Sequence, residues 1–167
     1  MLISERMNVA LNEQIGREFG ASLQYVNIAA YFAEQNLPVL SAHFYRQAEE
    51  EREHALRFVR YVTDAGGHVA IPAVPGPKTQ FATAEEAVKL SLDLEQEVTR
   101  QIHRLMDLAV KETDYTTQQM LQWFVEEQLE EVASMEELLS VVRRAGEGGL
   151  LLVEDFLARK GRAGGGA

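Results

Sequence analysis

The sequence contains no cysteine, which excludes disulfide staples and thiolate metal sites. Proline is sparse: three of the four prolines fall between residues 67 and 82, and the fourth is Pro38. Long stretches on either side are therefore free to be helical. No apolar run approaches the roughly 18 residues of a membrane span. The N-terminus, MLISERMNVALNEQ, lacks a basic segment followed by an apolar one, so no secretion signal is expected and the cytoplasm is the expected compartment. Basic residues are the minority charge, with Lys+Arg 16 against Asp+Glu 26 and a formal net charge of -10. Such a surface repels nucleic acid and anionic membranes and attracts cations, so neither nucleic acid nor membrane is an expected partner. What is present is a 46% apolar fraction in 167 residues, enough for one domain with a sizeable core.

Periodicity predicts an all-α chain of four long helices and one short one. The first runs from about Ser4 to about Gln35, and the second from about Val39 to Ala65, where Gly66 and Gly67 stop it. The third opens at Thr83 with a capping box, Thr83-x-x-Glu86, and reaches about Lys111. The fourth starts after Asp114 and runs to about Ala145; three glycines then precede a short fifth helix over about Leu150 to Lys160. The first and third connections span only a few residues, so each makes an antiparallel hairpin. Residues 67–82, if extended, reach roughly 50 Å. The second helix is only about 40 Å long, so this segment can cross the whole bundle and set the second and third helices parallel. The expected organisation is a four-helix bundle with one long crossover over 1–145, a short fifth helix over 146–160, and a flexible tail over 161–167.

Alternating steps of three and four trace the inward stripe of each helix. They give Leu11, Ile15, Glu18, Ser22, Tyr25, Ala29 and Phe32 on the first, and Phe44, Ala48, Glu51, Ala55, Phe58 and Val62 on the second. On the third they give Val88, Ser91, Glu95, Val98 and Ile102; on the fourth, Leu121, Phe124, Gln128, Glu131 and Met135. Each stripe is apolar or small except near its middle, where an acid interrupts it. His54 lies three residues after Glu51, on nearly the same face. Glu18 and Glu95, Glu51 and Gln128, and His54 and Glu131 are each separated by 77 positions. The chain thus reads as two helical hairpins, each offering one acid from its first helix and a polar i, i+3 pair from its second.

Four carboxylates buried together each lose hydration worth several kcal/mol and repel one another. They hold protons, pair with buried bases, or bind cations. No Lys or Arg lies on any stripe, and protonation alone leaves the matched spacing unexplained. Two divalent cations would neutralise the four charges, and carboxylates with one imidazole suit iron, manganese or zinc better than calcium or magnesium.

These residues resemble the ferritins, most closely the bacterial non-haem type, over nearly the whole chain. The resemblance rests on Glu18 with Tyr25 seven residues on, Glu51-x-x-His54, Glu95, and the segment QWFVEEQLEE. It implies a hollow shell of 24 subunits with a di-iron ferroxidase centre inside each bundle. There Fe(II) would be oxidised by O2 or H2O2 and then stored as a ferric mineral. Glu18, Glu51 and His54 would hold the first iron, and Glu51 would bridge to a second held by Glu95 and Glu131. Gln128 and Glu131 stand where haem-containing relatives carry a glutamate and a histidine, which makes the two sites unequal. Tyr25 would lie beside the centre, its hydroxyl needing a partner such as Glu18 or Glu95. Glu50, Glu127 and Glu130 are rotated off the stripe and are candidates for a third iron site.

Arg52 occupies the position of the haem-ligating Met of bacterioferritins, so no haem is expected. The fifth helix, too short and apolar to stand alone, would line the four-fold axis of the shell. Glu112 and Asp114 lie near an expected three-fold pore. His43, His68 and His103 fit no site spacing and are expected at the surface or an interface, while Trp123 is expected to pack beside the stripe. A rubrerythrin-type peroxidase on the same bundle is disfavoured by the missing cysteines and the fifth helix. A non-catalytic helical interaction module, the reading from another class, predicts no metal dependence and a small oligomer.

Overall fold

The computed structural model of the protein describes residues 1–164, and among these every regular element is helical. Helix α1 spans Glu5–Glu34 and is opened by Ser4, whose hydroxyl accepts from the Met7 amide at 2.9 Å. Helix α2, Pro38–Asp64, begins with proline in its first turn, where a missing N–H costs nothing. Helix α3, Ala84–Lys111, is capped by Thr83, and α4, Tyr115–Ala145, by Asp114. Glu86 returns its carboxylate to the Ala82 amide at 2.7 Å, one residue ahead of the predicted capping-box partner. A 3₁₀ turn at Glu147–Gly149 leads into α5, Leu150–Gly164, which continues past the predicted end at Lys160. The tail expected to be flexible therefore begins inside this helix; its residues 165–167 lie outside those described.

Helices α1 and α2 run antiparallel. Ser22 and Ser41 tie α1 to α2, their hydroxyls donating to Ala48 and Ala29 carbonyls at 2.6 and 2.8 Å. Both short hairpin turns place a non-glycine residue in the left-handed region, Asn36 at φ 58 and Thr113 at φ 56. These two are again 77 positions apart, so the duplicated pattern extends to the turns.

The long crossover lies against α1. Asn12 donates to the His68 carbonyl at 2.9 Å and accepts from the Ala70 amide at 2.6 Å; Gln24 holds both the carbonyl and the amide of Lys78. A Cβ on Gly16 would meet the Pro72 ring at 2.7 Å, so the strap approaches the helix only because that residue is glycine. α2 has no side-chain cap of its own. Instead Glu154 of α5 accepts from the Val39 and Leu40 amides at 3.0 and 2.7 Å, which places a carboxylate at the positive end of α2.

The apolar core divides in two. One cluster gathers Tyr25, Phe32, Leu40, Phe44, Val88 and Met135; the other gathers Leu11, Ile15, Phe58, Ile102, Leu121 and Phe124. Phe32 stacks on Phe44 in the first, and Phe58 on Phe124 at 4.1 Å in the second. Each such ring, fully buried, contributes roughly 1.5–3 kcal/mol. Between the clusters lies a polar layer. No described helix is long and apolar enough to cross a membrane.

Candidate metal centre

Glu18, Glu51, His54, Glu95, Gln128 and Glu131 are all buried, and they form that layer. Their position follows from the stripes: Ile15 and Tyr25 bracket Glu18 on α1, Ala48 and Ala55 bracket Glu51 on α2, and Phe124 and Met135 bracket the α4 pair. The apolar neighbours bury each helix face whole, and the polar side chains are carried inside with it.

Three of the six converge most tightly. Glu18, Glu51 and His54 each offer a ligand atom, and these atoms lie within 4.8 Å of one another. His54 Nδ1 is 3.5 Å from Glu51 Oε2, while its Nε2 faces outward to Glu127 Oε1 at 4.0 Å. Glu18 Oε2, both oxygens of Glu51 and His54 Nδ1 have no hydrogen-bond partner within the protein. Buried polar atoms are normally paired, so a cluster of unpartnered ones on one imidazole and two carboxylates fits a borderline divalent ion.

The other three are held by neighbours. Tyr25 donates to Glu95 Oε1, and Gln128 Nε2 donates to Glu95 Oε2 at 3.2 Å and to Thr99 Oγ1 at 3.3 Å. Gln128 Oε1 is left unpartnered. Glu131 Oε2 accepts from Gln47 Nε2 at 2.8 Å. The two predicted ion sites are therefore unlike in the protein itself: one is a group of open donors, the other a group engaged in hydrogen bonds.

Burial raises every carboxyl in the layer. Desolvation pushes Glu18 well above the usual carboxylate range, and the Glu51 charge adds to it. Glu51 is raised likewise by burial and then by Glu95, and Glu131 chiefly by burial. Glu95 rises to about 7, from burial first and then Glu131. Tyr25 is also raised, by burial and the adjacent Glu95. A cation at the centre would favour the charged form of each acid, so ion binding and proton release are coupled.

The three off-stripe acids lie outside the layer. Glu50 and Glu130 are exposed and Glu127 half-buried. A cavity of about 380 Å³ between α2 and α4 is lined by Glu49, Glu50, Glu53, His54, Trp123 and Glu127, so it reaches the back of the His54 ring. Trp123 packs edge-on to His54 and lies under the Arg57 guanidinium at 3.9 Å. Arg52 is exposed and pairs with Glu53 at 3.6 Å. His68 and His103 are exposed. His43 is half-buried beneath α5, and its Nε2 has no partner.

Gln14, Gln47 and Gln101 have no counterpart among the residues picked out from the sequence, yet each is buried and belongs to this polar network. For Gln14 the one available signal is its place a turn before Glu18.

A family model described as "Ferritin-like domain" matches residues 8–145. The "Ferritin BfrB" of Mycolicibacterium smegmatis is 42% identical over 163 residues, covering 98% of this chain and 90% of that one. A "Bacterial non-heme ferritin" of Staphylococcus aureus is 36% identical over 146 residues, covering 87% and 88%. Among solved structures, an open pore ferritin from Archaeoglobus fulgidus superposes with a TM-score of 0.90 at 35% identity, over 93% of this chain and 96% of that one. The bundle, its long crossover and its short fifth helix are thus those of a known fold, and relatives match along nearly the full length: the chain belongs to the ferritin family.

Proposed function

We propose that this protein is an iron-storing ferroxidase. The observation that carries the reading is the triad of Glu18, Glu51 and His54, buried and convergent between two apolar clusters, with Glu18 Oε2, both Glu51 oxygens and His54 Nδ1 unpartnered. Fe(II) is the substrate. The first ion is held by Glu18, Glu51 and His54 Nδ1. The second would be held by Glu51, Glu95 and Glu131, with the unpartnered Gln128 Oε1 available as a further ligand. Because Glu95 and Glu131 start in hydrogen bonds to Tyr25, Gln128 and Gln47, the second ion must displace or share those bonds. It binds more weakly, which suits a position from which ferric iron departs.

Each Fe(II) gives up one electron. Dioxygen accepts two electrons and two protons and leaves as hydrogen peroxide; hydrogen peroxide as oxidant accepts two electrons and two protons and gives two waters. The protein excludes bulk water, neutralises the ions and takes back the protons that the carboxyls release on loading. Glu50, Glu127 and Glu130 line the way out as a third site; Glu127 faces His54 from the opposite side to the first ion. The ferric product collects as an oxyhydroxide mineral inside a cytoplasmic shell of 24 copies. Leu151 and Leu152 of α5, 74% and 70% exposed, supply an apolar surface for contact between copies. On this reading no haem is bound.

Anaerobic Fe(II) titration is expected to saturate tightly at about two ions per subunit, and oxygen then to raise near-ultraviolet ferric absorbance in a rapid phase. Glu51→Ala and His54→Ala should each abolish that phase while the bundle stays helical. A rapid phase of unchanged amplitude in either variant contradicts the assignment.

A further inference from the structure

Gln14 is fully buried on α1, one turn before Glu18. Its Nε2 donates to Glu18 Oε1 at 2.8 Å and to Gln101 Oε1 of α3 at 3.2 Å. Gln101 Nε2 in turn donates to Glu97 Oε1 at 3.3 Å. Glu97 accepts from Arg100 Nε at 2.8 Å and from Arg104 at 2.9 Å. An unbroken chain of hydrogen bonds therefore runs from an ion cluster on the surface of α3 to one oxygen of a proposed metal ligand.

The chain has a fixed direction. One arginine donates to each oxygen of Glu97, so toward Gln101 this carboxylate only accepts. Gln101 must then turn its NH₂ toward Glu97 and its carbonyl oxygen toward Gln14. Gln14 must answer with its own NH₂, which leaves that group pointing at Glu18 as well. Glu18 Oε1 is thereby committed as an acceptor, and Oε2 remains without a protein partner. A reversed Gln14 amide would face Gln101 oxygen to oxygen. Neither of the other two residues of the triad, Glu51 and His54, has a comparable amide donor.

We propose that Gln14, oriented by Gln101, is a positioning residue that fixes the rotation of the Glu18 carboxylate so that the first ion site is assembled before the ion arrives. This rests on the metal-centre reading above. A carboxylate held through one oxygen loses its torsional freedom in advance, and partners of this kind are worth about 10–100-fold in metal affinity.

Anaerobic Co(II) titration of the assembled protein, followed by visible d–d absorption, tests this without redox chemistry. Gln14→Met keeps the side-chain length and removes the donor. The expected result is a first-ion affinity weakened about 10–100-fold, with an altered d–d spectrum and unchanged particle size. In oxygen, the Fe(II) concentration for half-maximal rate should rise while the maximal rate changes little. Should Gln14→Met fail to assemble, Gln101→Met, which faces a surface groove between α1 and α3, is expected to shift the same affinity in the same direction by less. Wild-type affinity and spectrum in an assembled variant overturn the role of Gln14 alone. A wild-type protein that takes up no Co(II) overturns the metal centre, and this role with it.

Discussion

Tyr25 donates its hydroxyl to Glu95 Oε1 across the bundle, joining α1 to α3 inside the polar layer. Both groups are buried, so neither has water as a substitute. Tyr25→Phe removes the donor and strands a carboxyl oxygen, at an expected cost of about 1–3 kcal/mol in the metal-free protein. Denaturant unfolding of apoprotein checks this. The same substitution frees Glu95 Oε1, so the deficit should shrink when a divalent ion is bound.

Stability of the apoprotein should fall as pH rises. Glu95 titrates near 7 in the folded chain, against about 4.3 in an unfolded one. The folded state therefore holds its proton more tightly through that interval. Its contribution is fully present below the unfolded value and is lost as pH rises through the folded value. Glu18 and Glu51, also raised, act in the same direction. Thermal midpoints of metal-free protein should decline from pH 5 to pH 8, and Glu95→Gln should flatten part of that slope. A divalent ion should reverse it, because deprotonation then favours binding.

His43 produces the opposite slope on the acid side. Burial lowers it to about 4, with the Arg46 and Lys160 charges adding to the effect. Phe156 and Leu157 of α5 close the cavity beside it, and Glu137 there is paired to Lys160. A depressed histidine stabilises the fold while neutral; that contribution is lost as pH falls from the unfolded value of about 6.5 through about 4. His43→Leu should resist this acid loss, measured as the difference in thermal midpoint between pH 7 and pH 4.5 relative to wild type. Equal losses in the two proteins would show that His43 does not drive it.

Thr113 occupies the left-handed region in the α3–α4 turn at φ 56, where a β-branched side chain is strained by about 1–2 kcal/mol. Its counterpart Asn36 is a residue that tolerates this conformation. Thr113→Asn is expected to stabilise the protein by about 1 kcal/mol, read from chemical unfolding, with iron oxidation unaffected.

The stripes were legible because burial on a helix is periodic. An acid at a leucine position stands out against Phe44, Ala55 and Phe58 without any structure. The hydrogen-bonding glutamines were not legible for the same reason. Gln47 and Gln101 lie beside the stripes rather than on them, and only the approach of α4 and α1 decides that they are buried. His43 depends on the return of α5 over α2, and nothing in its local sequence encodes that contact. The difference in residue type between the two proposed ion sites was legible, since only the first includes an imidazole. The open state of one site and the hydrogen-bonded state of the other was not, because it depends on how Tyr25, Gln47 and Gln128 orient.

The central claim is that the polar layer exists to hold iron. Crystals soaked anaerobically in Fe(II) and measured at the iron absorption edge test it directly. The account predicts an anomalous peak among Glu18, Glu51 and His54 Nδ1, and a second, weaker one shared by Glu51, Glu95 and Glu131. Peaks confined to surface acids, with none between the two apolar clusters, would contradict it.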